Sequence, residues 1–338
     1  MRAYPLRRTG GPDVLELADL PSPEPGEGEV AVRVQAIGIN YAEVLSRKGL
    51  YGWAPKKPYV PGMEVTGTID TVGTRVSADR IGQRVVIGMQ YGGYAERVVV
   101  ASRQALPALE DLSIEENAAF AVNYMTAWVS LMEMARLRTT DRVLITAAAG
   151  GVGTAAVQIA SAFGCEVVAM AGSDEKLERL GPLGAKHTVN YRAPAWQAAL
   201  ARVLDGRGPD VVLEVVGGEV YRACLDSLAP FGRLVVAGYA GLDYSTWKPW
   251  TWWKAWRGKP RADIMDLALG SKGVLASHIG YLLADEARLE GVWKGLVNFT
   301  QEHGIRPVVG HTFGFDELPA AHRLMESRKS VGKIVVTL

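Results

Sequence analysis

Gly150, Gly151, Val152 and Gly153 form the stretch of this chain best suited to chemistry, inside the run RVLITAAAGGVGTAAVQIASAFGCEVVAMAGS at residues 142–173. Glycines without Cβ atoms let the backbone come close to a bound pyrophosphate, and the helix that follows aims its unpaired N–H groups at the phosphates. The dinucleotide fingerprint asks for glycine at 148, 150 and 153, and the chain offers Ala148, Gly150 and Gly153. One position departs. The competing reading is a tight helix–sheet crossing that needs small residues and binds nothing.

The residues beyond the turn choose the dinucleotide. An NAD site places an acid about 20 residues past the glycines to hold the ribose hydroxyls. Here Ala171, Gly172 and Ser173 stand at the strand tip, with no carboxylate among them, and Lys176 follows one helical turn on. A lysine and a serine hydroxyl suit a 2′-phosphate, so the expected cofactor is NADPH. Taken alone, Lys176 reads as a solvated residue of the run DEKLER.

These residues need a frame. Residues 143–146 and 167–170 have the short apolar runs of strands buried on both faces, while Val152, Ala155, Ala156, Ile159, Ala160 and Phe163 recur at helical spacing between them. No charge occurs at residues 143–165, the length of a membrane span, but paired glycines, Thr146, Thr154 and Gln158 argue against one. Further strands are expected at 187–190, 211–215, 234–237 and 274–277, giving a doubly wound α/β sheet of parallel strands. The first hundred residues differ. Short β-rich segments at 14–17, 30–37, 65–72, 84–87 and 94–100 alternate with Gly/Pro turns, and Val30, Val32, Val34 and Ala36 with Arg33 and Gln35 between them mark a half-buried antiparallel strand. A partly open β-barrel is expected there, with a short helix at 41–48, a Ser113/Glu116 capping box before the apolar run 118–135, and a last helix (318–326) and strand (333–338) returning to it.

Composition narrows the classes. A net charge of +1 gives no electrostatic reason to expect nucleic acid, and Cys165 and Cys224 can build neither a disulfide framework nor a cysteine zinc cluster. The N-terminal MRAYPLRRTG has no apolar signal core, so a cytoplasmic protein is expected.

PSPEPGEGEVAVRVQAIGIN, RKGLY, PGMEVTG, AAAGGVGTAAVQIA, SDEKLERLGPLGAKHTVNYR and SVGKIVV run nearly end to end. Together they resemble the zinc-independent quinone oxidoreductases of the medium-chain dehydrogenase/reductase family; VNYMTAW, SHIGYL and the tryptophan-rich segment are most similar to its vesicle amine transport protein branch. The resemblance implies a GroES-like catalytic domain at 1–122, completed by 280–338, and a Rossmann domain at 123–279. By the same resemblance the zinc-ligand positions of the metal-dependent members fall on Asn40, Met63 and Val122, none a normal zinc ligand, so no metal is expected. It further implies that Asn40 sits near the nicotinamide, Thr126 contacts the nicotinamide end of the cofactor, Ser173, Lys176 and Tyr191 surround the 2′-phosphate, and Lys333 reaches the cofactor. Gly217 and Gly238 follow later strands at the carboxyl edge where open α/β sheets bind ligands.

Without a metal, charge on a reduced acceptor oxygen needs polar groups in a dry pocket. Tyr51 is the first candidate donor, Asn40 stands beside it, and Tyr41 is third; Tyr51 also has a plain packing reading. Glu43 and Glu64 could act as acids, but read more simply as ion-pair partners of Arg47 or Lys48. The segment with Trp247, Trp250, Trp252, Trp253 and Trp256 interleaves Lys248, Lys254, Arg257 and Lys259. It could lie at a membrane interface, stack on bases, cover an apolar groove, or close over a flat quinone. The expected reaction is NADPH reduction of a quinone or related enone; alternatives are reduction of an activated C=C and a weakly active cofactor-binding or vesicle-associated protein. A homodimer joined at the edge strand 274–277 is expected.

Overall fold

The computed structural model describes residues 1–238 and 261–338, so the tryptophan-rich segment lies outside the described residues. Two units emerge: Met1–Asn123 with Gly280–Leu338, and Tyr124–Ile279.

In the first unit β1 (Arg2–Ala3) pairs antiparallel with β2 (Ala18–Asp19). The strand expected at 14–17 does not form. Pro12, with its fixed φ and no N–H, instead opens a 3-10 turn over Pro12–Val14, and pairing begins only at Ala18. The long strand β3 (Glu29–Ile39) then buries Val30, Val32 and Val34 and exposes Arg33, as alternation requires, until a register shift between Val34 and Ala36, beyond which Ala36, Ile37 and Ile39 are all buried. Next come α1 (Tyr41–Arg47), β4 (Glu64–Val72), β5 (Arg84–Gly88), β6 (Arg97–Ala101) and β7 (Ala105–Pro107). A Ser113–Glu116 capping box starts α2 (Ile114–Ala118).

After α3 (Ala121–Trp128) the chain widens into a π-helical segment, Val129–Met134, that the apolar run did not foretell. Then β8 (Arg142–Ile145), α4 (Gly151–Ala162), β9 (Glu166–Ala171), α5 (Asp174–Glu178), β10 (His187–Asn190) and α6 (Trp196–Leu204) alternate. They continue as β11 (Val211–Glu214), α7 (Gly218–Ser227), β12 (Arg233–Val236), α8 (Ile264–Gly270) and β13 (Gly273–Ala276). The six strands are parallel in the order β10-β9-β8-β11-β12-β13. Strand order reverses between β8 and β11, and ligands of such sheets bind outside the carboxyl ends at that reversal. That rule also disqualifies a cavity of about 510 Å³ lined by Arg138, Asp141, Arg207, Phe231 and Arg233, because it opens at the amino ends.

The chain closes with α9 (Glu286–Glu302), β14 (Val309–Gly314), α10 (Leu318–Ser327) and β15 (Lys333–Thr337). β15 rejoins the first unit antiparallel to β3, with Ile334 opposite Ile39. The seven-stranded sheet runs β14-β15-β3-β4-β5-β7, and β6 pairs with the first half of β3 while β15 takes its second half. The path ends at β14 and β7 without closing, which makes this a partly open GroES-like sheet around Val32, Ile37, Ile69, Ile87 and Ile334. Among the described residues no helix is long and apolar enough to cross a membrane.

Candidate active site

The glycine turn lies between β8 and α4. Ala147 takes a left-handed φ of 44°, a strained conformation for a residue with a Cβ. Gly150 caps α4 without a side chain, and the first N–H of the helix to find a backbone acceptor is that of Thr154, on Gly150 O at 2.8 Å. The N–H groups of Gly151, Val152 and Gly153 are therefore open to an anion, and the residues present fit a pyrophosphate. Gly153 has a second duty. A Cβ there would lie 2.4 Å from Ala147 O and 2.5 Å from Ala148 Cα, so the helix–strand crossing itself demands glycine.

The neighbouring strand end is tied to this turn by a residue the sequence did not single out. Glu214, fully buried at the end of β11, accepts the N–H of Val216 at 2.8 Å and of Gly217 at 2.9 Å, and Thr146 Oγ1 at 3.3 Å. Burial pushes its carboxyl up, against those two N–H groups and the hydroxyl. Gly217 follows with φ 87°, which favours glycine, and Gly238 lies two residues past the end of β12. Thr126 is buried on α3.

At the tip of β9, Ser173 precedes α5 in extended conformation, and its hydroxyl makes no capping bond. Lys176 is held below its ordinary pKa by burial first and by nearby Arg192 second, with Glu175 opposing. Tyr191 packs against the core of the sheet and donates its N–H to Ala171 O. The acid missing from the tip stands one residue further on. Asp174 opens α5, and its carboxylate accepts Asn190 Nδ2 at 3.0 Å. Arg192 joins this group although the sequence reading stopped at Tyr191: its Nε lies 3.1 Å from where a Cβ on Gly172 would be.

The first unit gathers its polar residues around the start of α1. Asn40 caps that helix, Glu43 returns to the Asn40 N–H at 2.8 Å, and Asn40 Oδ1 accepts Lys333 Nζ at 2.8 Å. Lys333, 2% exposed, also donates to Glu64 Oε2 at 2.5 Å and to Asn123 Oδ1 at 3.5 Å, so its three protons have three acceptors inside the unit. Glu64 uses its other oxygen to accept the Val122 N–H at 2.8 Å.

Neither carboxylate pairs with Arg47 or Lys48, as the simple reading of Glu43 and Glu64 had it. Tertiary partners take those cations: Arg47 and Lys48 reach Glu326 at 2.7 and 2.8 Å, and Arg47 also donates to Gly10 O at 2.6 Å. Glu43 instead accepts the Tyr94 hydroxyl at 2.5 Å and the Met63 N–H at 2.7 Å. Burial pushes its carboxyl up, opposed by the Asn40 N–H, Tyr94 and Lys333. Tyr94 in turn lies 2.8 Å from His322 Nε2, and Arg47 Nε donates to His322 Nδ1 at 3.4 Å. That donor assigns the neutral imidazole proton to Nε2. Burial and then Arg47 depress the His322 pKa to about 3. Tyr51, half-buried, is pushed up by burial and by Glu43. Tyr41 is half-buried as the first residue of α1.

A zinc ion does not fit here. Asn40, Met63 and Val122 offer no thiolate or imidazole, and the Lys333 ammonium already sits on Asn40 and Glu64, where a dication would be repelled. Among the described residues no group of three or more His, Cys, Asp or Glu could hold a metal.

A doubly wound sheet with a glycine turn, together with a GroES-like unit, defines a medium-chain dehydrogenase/reductase. Residues 26–111 match the alcohol dehydrogenase GroES-like domain and residues 151–293 the zinc-binding dehydrogenase family. The chain belongs to the quinone oxidoreductase family of these oxidoreductases. It is 30% identical to the quinone oxidoreductase of Rattus norvegicus, covering 100% of this chain and 98% of that one. It is 31% identical to the synaptic vesicle membrane protein VAT-1 homolog of Homo sapiens, covering 99% and 86%. Among solved structures, the quinone oxidoreductase of Thermus thermophilus, determined also in complex with NADPH, superposes with a TM-score of 0.82 at 38% identity over 100% of both chains.

Proposed function

We propose that this protein is an NADPH-dependent oxidoreductase that reduces a quinone or related conjugated carbonyl without a metal. The observation that carries the reading is the open N-terminus of α4 together with the half-buried Lys176 of α5, just past the tip of β9. The first recruits a pyrophosphate and the second a further phosphate. NADPH supplies the hydride when bound, and the rest falls to the chain. Gly151, Val152 and Gly153 hold the pyrophosphate by N–H groups, with Gly150 leaving the approach clear; Ser173, Lys176 and Tyr191 surround the 2′-phosphate. Thr126, Gly217 and Gly238 orient the nicotinamide end, and Glu214 keeps the loop before Gly217 in place.

Asn40 and Lys333 form a fixed polar pair whose role is to orient cofactor and acceptor. Tyr51 is the donor to the acceptor oxygen as charge develops there. Its raised pKa keeps the hydroxyl protonated, and Tyr41 is the reserve candidate. A quinone is already electrophilic, so positioning does much of the work. The reading also includes a homodimer joined along β13.

NADPH and NADH oxidation should be followed with 9,10-phenanthrenequinone, 1,4-benzoquinone, a 2-alkenal and a crotonyl thioester. Quinone-dependent oxidation of NADPH, faster than of NADH at equal concentration, is expected. Turnover confined to the alkenal or the thioester would replace the quinone assignment with C=C reduction. Binding without oxidation by any acceptor would replace the enzyme reading with a cofactor-binding one.

A further inference from the structure

We propose that Arg192 is a specificity-determining residue: its guanidinium binds the 2′-phosphate together with Lys176, and Gly172 is the seat that lets it lie against the end of β9. The inference rests on the NADPH reading above and names the residue that enforces it.

Three observations support it. The root of the guanidinium lies against the open face of Gly172, with Nε, Cδ and Cζ at 3.1, 3.3 and 3.4 Å from a built Cβ, so a methyl there would crowd it and make it shift from its seat on the strand tip. The backbone beneath it is fixed, because Asn190 Oδ1 accepts the Arg192 N–H at 3.0 Å while Asn190 Nδ2 holds the Asp174 carboxylate. Arg192 also stands close enough to Lys176 to help depress its pKa. Two like charges brought together repel each other, and a phosphate dianion between them reverses the sign. Arginine suits that task because its planar fork can give two parallel N–H bonds to phosphate oxygens. The acids that open α5 have other partners: Asp174 is engaged by Asn190, and Glu175 faces Arg179 at 3.9 Å.

Dissociation constants of the full chain for NADPH and NADH, which differ only in the 2′-phosphate, test the proposal directly. In the unaltered protein NADPH should bind more tightly by at least about tenfold. Arg192→Ala should weaken NADPH by about tenfold to hundredfold, the worth of a charged hydrogen bond, and leave NADH within about twofold, which also shows that the variant is folded. Arg192→Lys should recover part of the loss, and Gly172→Ala should reproduce it in part. If Arg192→Ala leaves the NADPH margin intact, the inference is wrong while the NADPH reading stands. Equal weakening of both cofactors would mean that the guanidinium stacks on adenine, and would also overturn it. No margin in the unaltered protein would remove both the inference and the reading beneath it.

Discussion

Lys333 and Glu64 are the residues whose chemistry depends most on each other. An ammonium 2% exposed and a carboxylate fully buried can persist only as a hydrogen-bonded pair, because either charge left alone in that interior keeps its desolvation penalty. Lys333→Met should therefore cost about 3–5 kcal/mol of stability, and the double variant Lys333→Met/Glu64→Gln should recover part of it. Urea unfolding of both proteins decides the matter; equal losses would mean that the ammonium fills space and no more. His322 offers a pH-dependent counterpart. Its ordinary pKa of 6.5 falls to about 3 in the folded protein, so above 6.5 it is neutral in both states and its contribution is intact. Below 6.5 the unfolded chain takes up a proton that the folded chain refuses until about 3, and stability is lost across that window, by up to roughly 5 kcal/mol. His322→Gln should flatten the fall in urea midpoint between pH 6.5 and about 4, and an unchanged slope would assign the acid sensitivity to other groups. Neither feature was legible beforehand. Lys333 lies 269 residues from Glu64, and the pairing expected of Glu43 with nearby Arg47 or Lys48 gives way because α10 brings Glu326 and His322 to the arginine.

Among the elements, the β8-turn-α4 segment was the most legible because each level of its sequence agrees: a doubly buried strand, small residues at the turn and a helical apolar stripe. The same agreement separates two roles that the glycine fingerprint merges. Gly153 has no room for a Cβ, with Ala147 O at 2.4 Å, whereas a Cβ on Gly150 would meet that oxygen at 3.3 Å. Gly153→Ala should thus destabilise the fold by about 1–3 kcal/mol through overpacking. Gly150→Ala should spare the fold and weaken cofactor binding. Thermal unfolding beside NADPH titration separates them, and a Gly153→Ala protein of native stability would contradict the crossing geometry. Other elements were less readable for local reasons. The β-rich look of residues 14–17 was overruled by Pro12 just upstream, and the π-helical widening at Val129–Met134 leaves no mark in apolar spacing. Arg192 carries no mark in the sequence that singles it out, since only the fold brings Gly172 beneath it.

At the scale of the whole molecule the open question is what covers the end of the parallel sheet. β13 pairs with β12 on one side and has no strand on the other among the described residues, so it presents unpaired N–H and C=O groups of the kind that recruit another strand. The helix before it, α8, exposes Ile264, Met265 and Leu269 at 75%, 68% and 83%, which extends the bare backbone edge with apolar surface. Monomers rarely leave such a combination uncovered. A second copy related by a twofold axis is the self-complementary solution, because it pairs β13 with itself and gives each exposed helix the same neighbour. The full chain should accordingly sediment as a dimer at micromolar concentration. Met265→Lys/Leu269→Lys should shift it toward monomer by placing like charges on both sides of the axis, without touching the glycine turn or Lys333. A chain that sediments as a monomer, or a dimer indifferent to those lysines, would mean that this edge is protected in some other way.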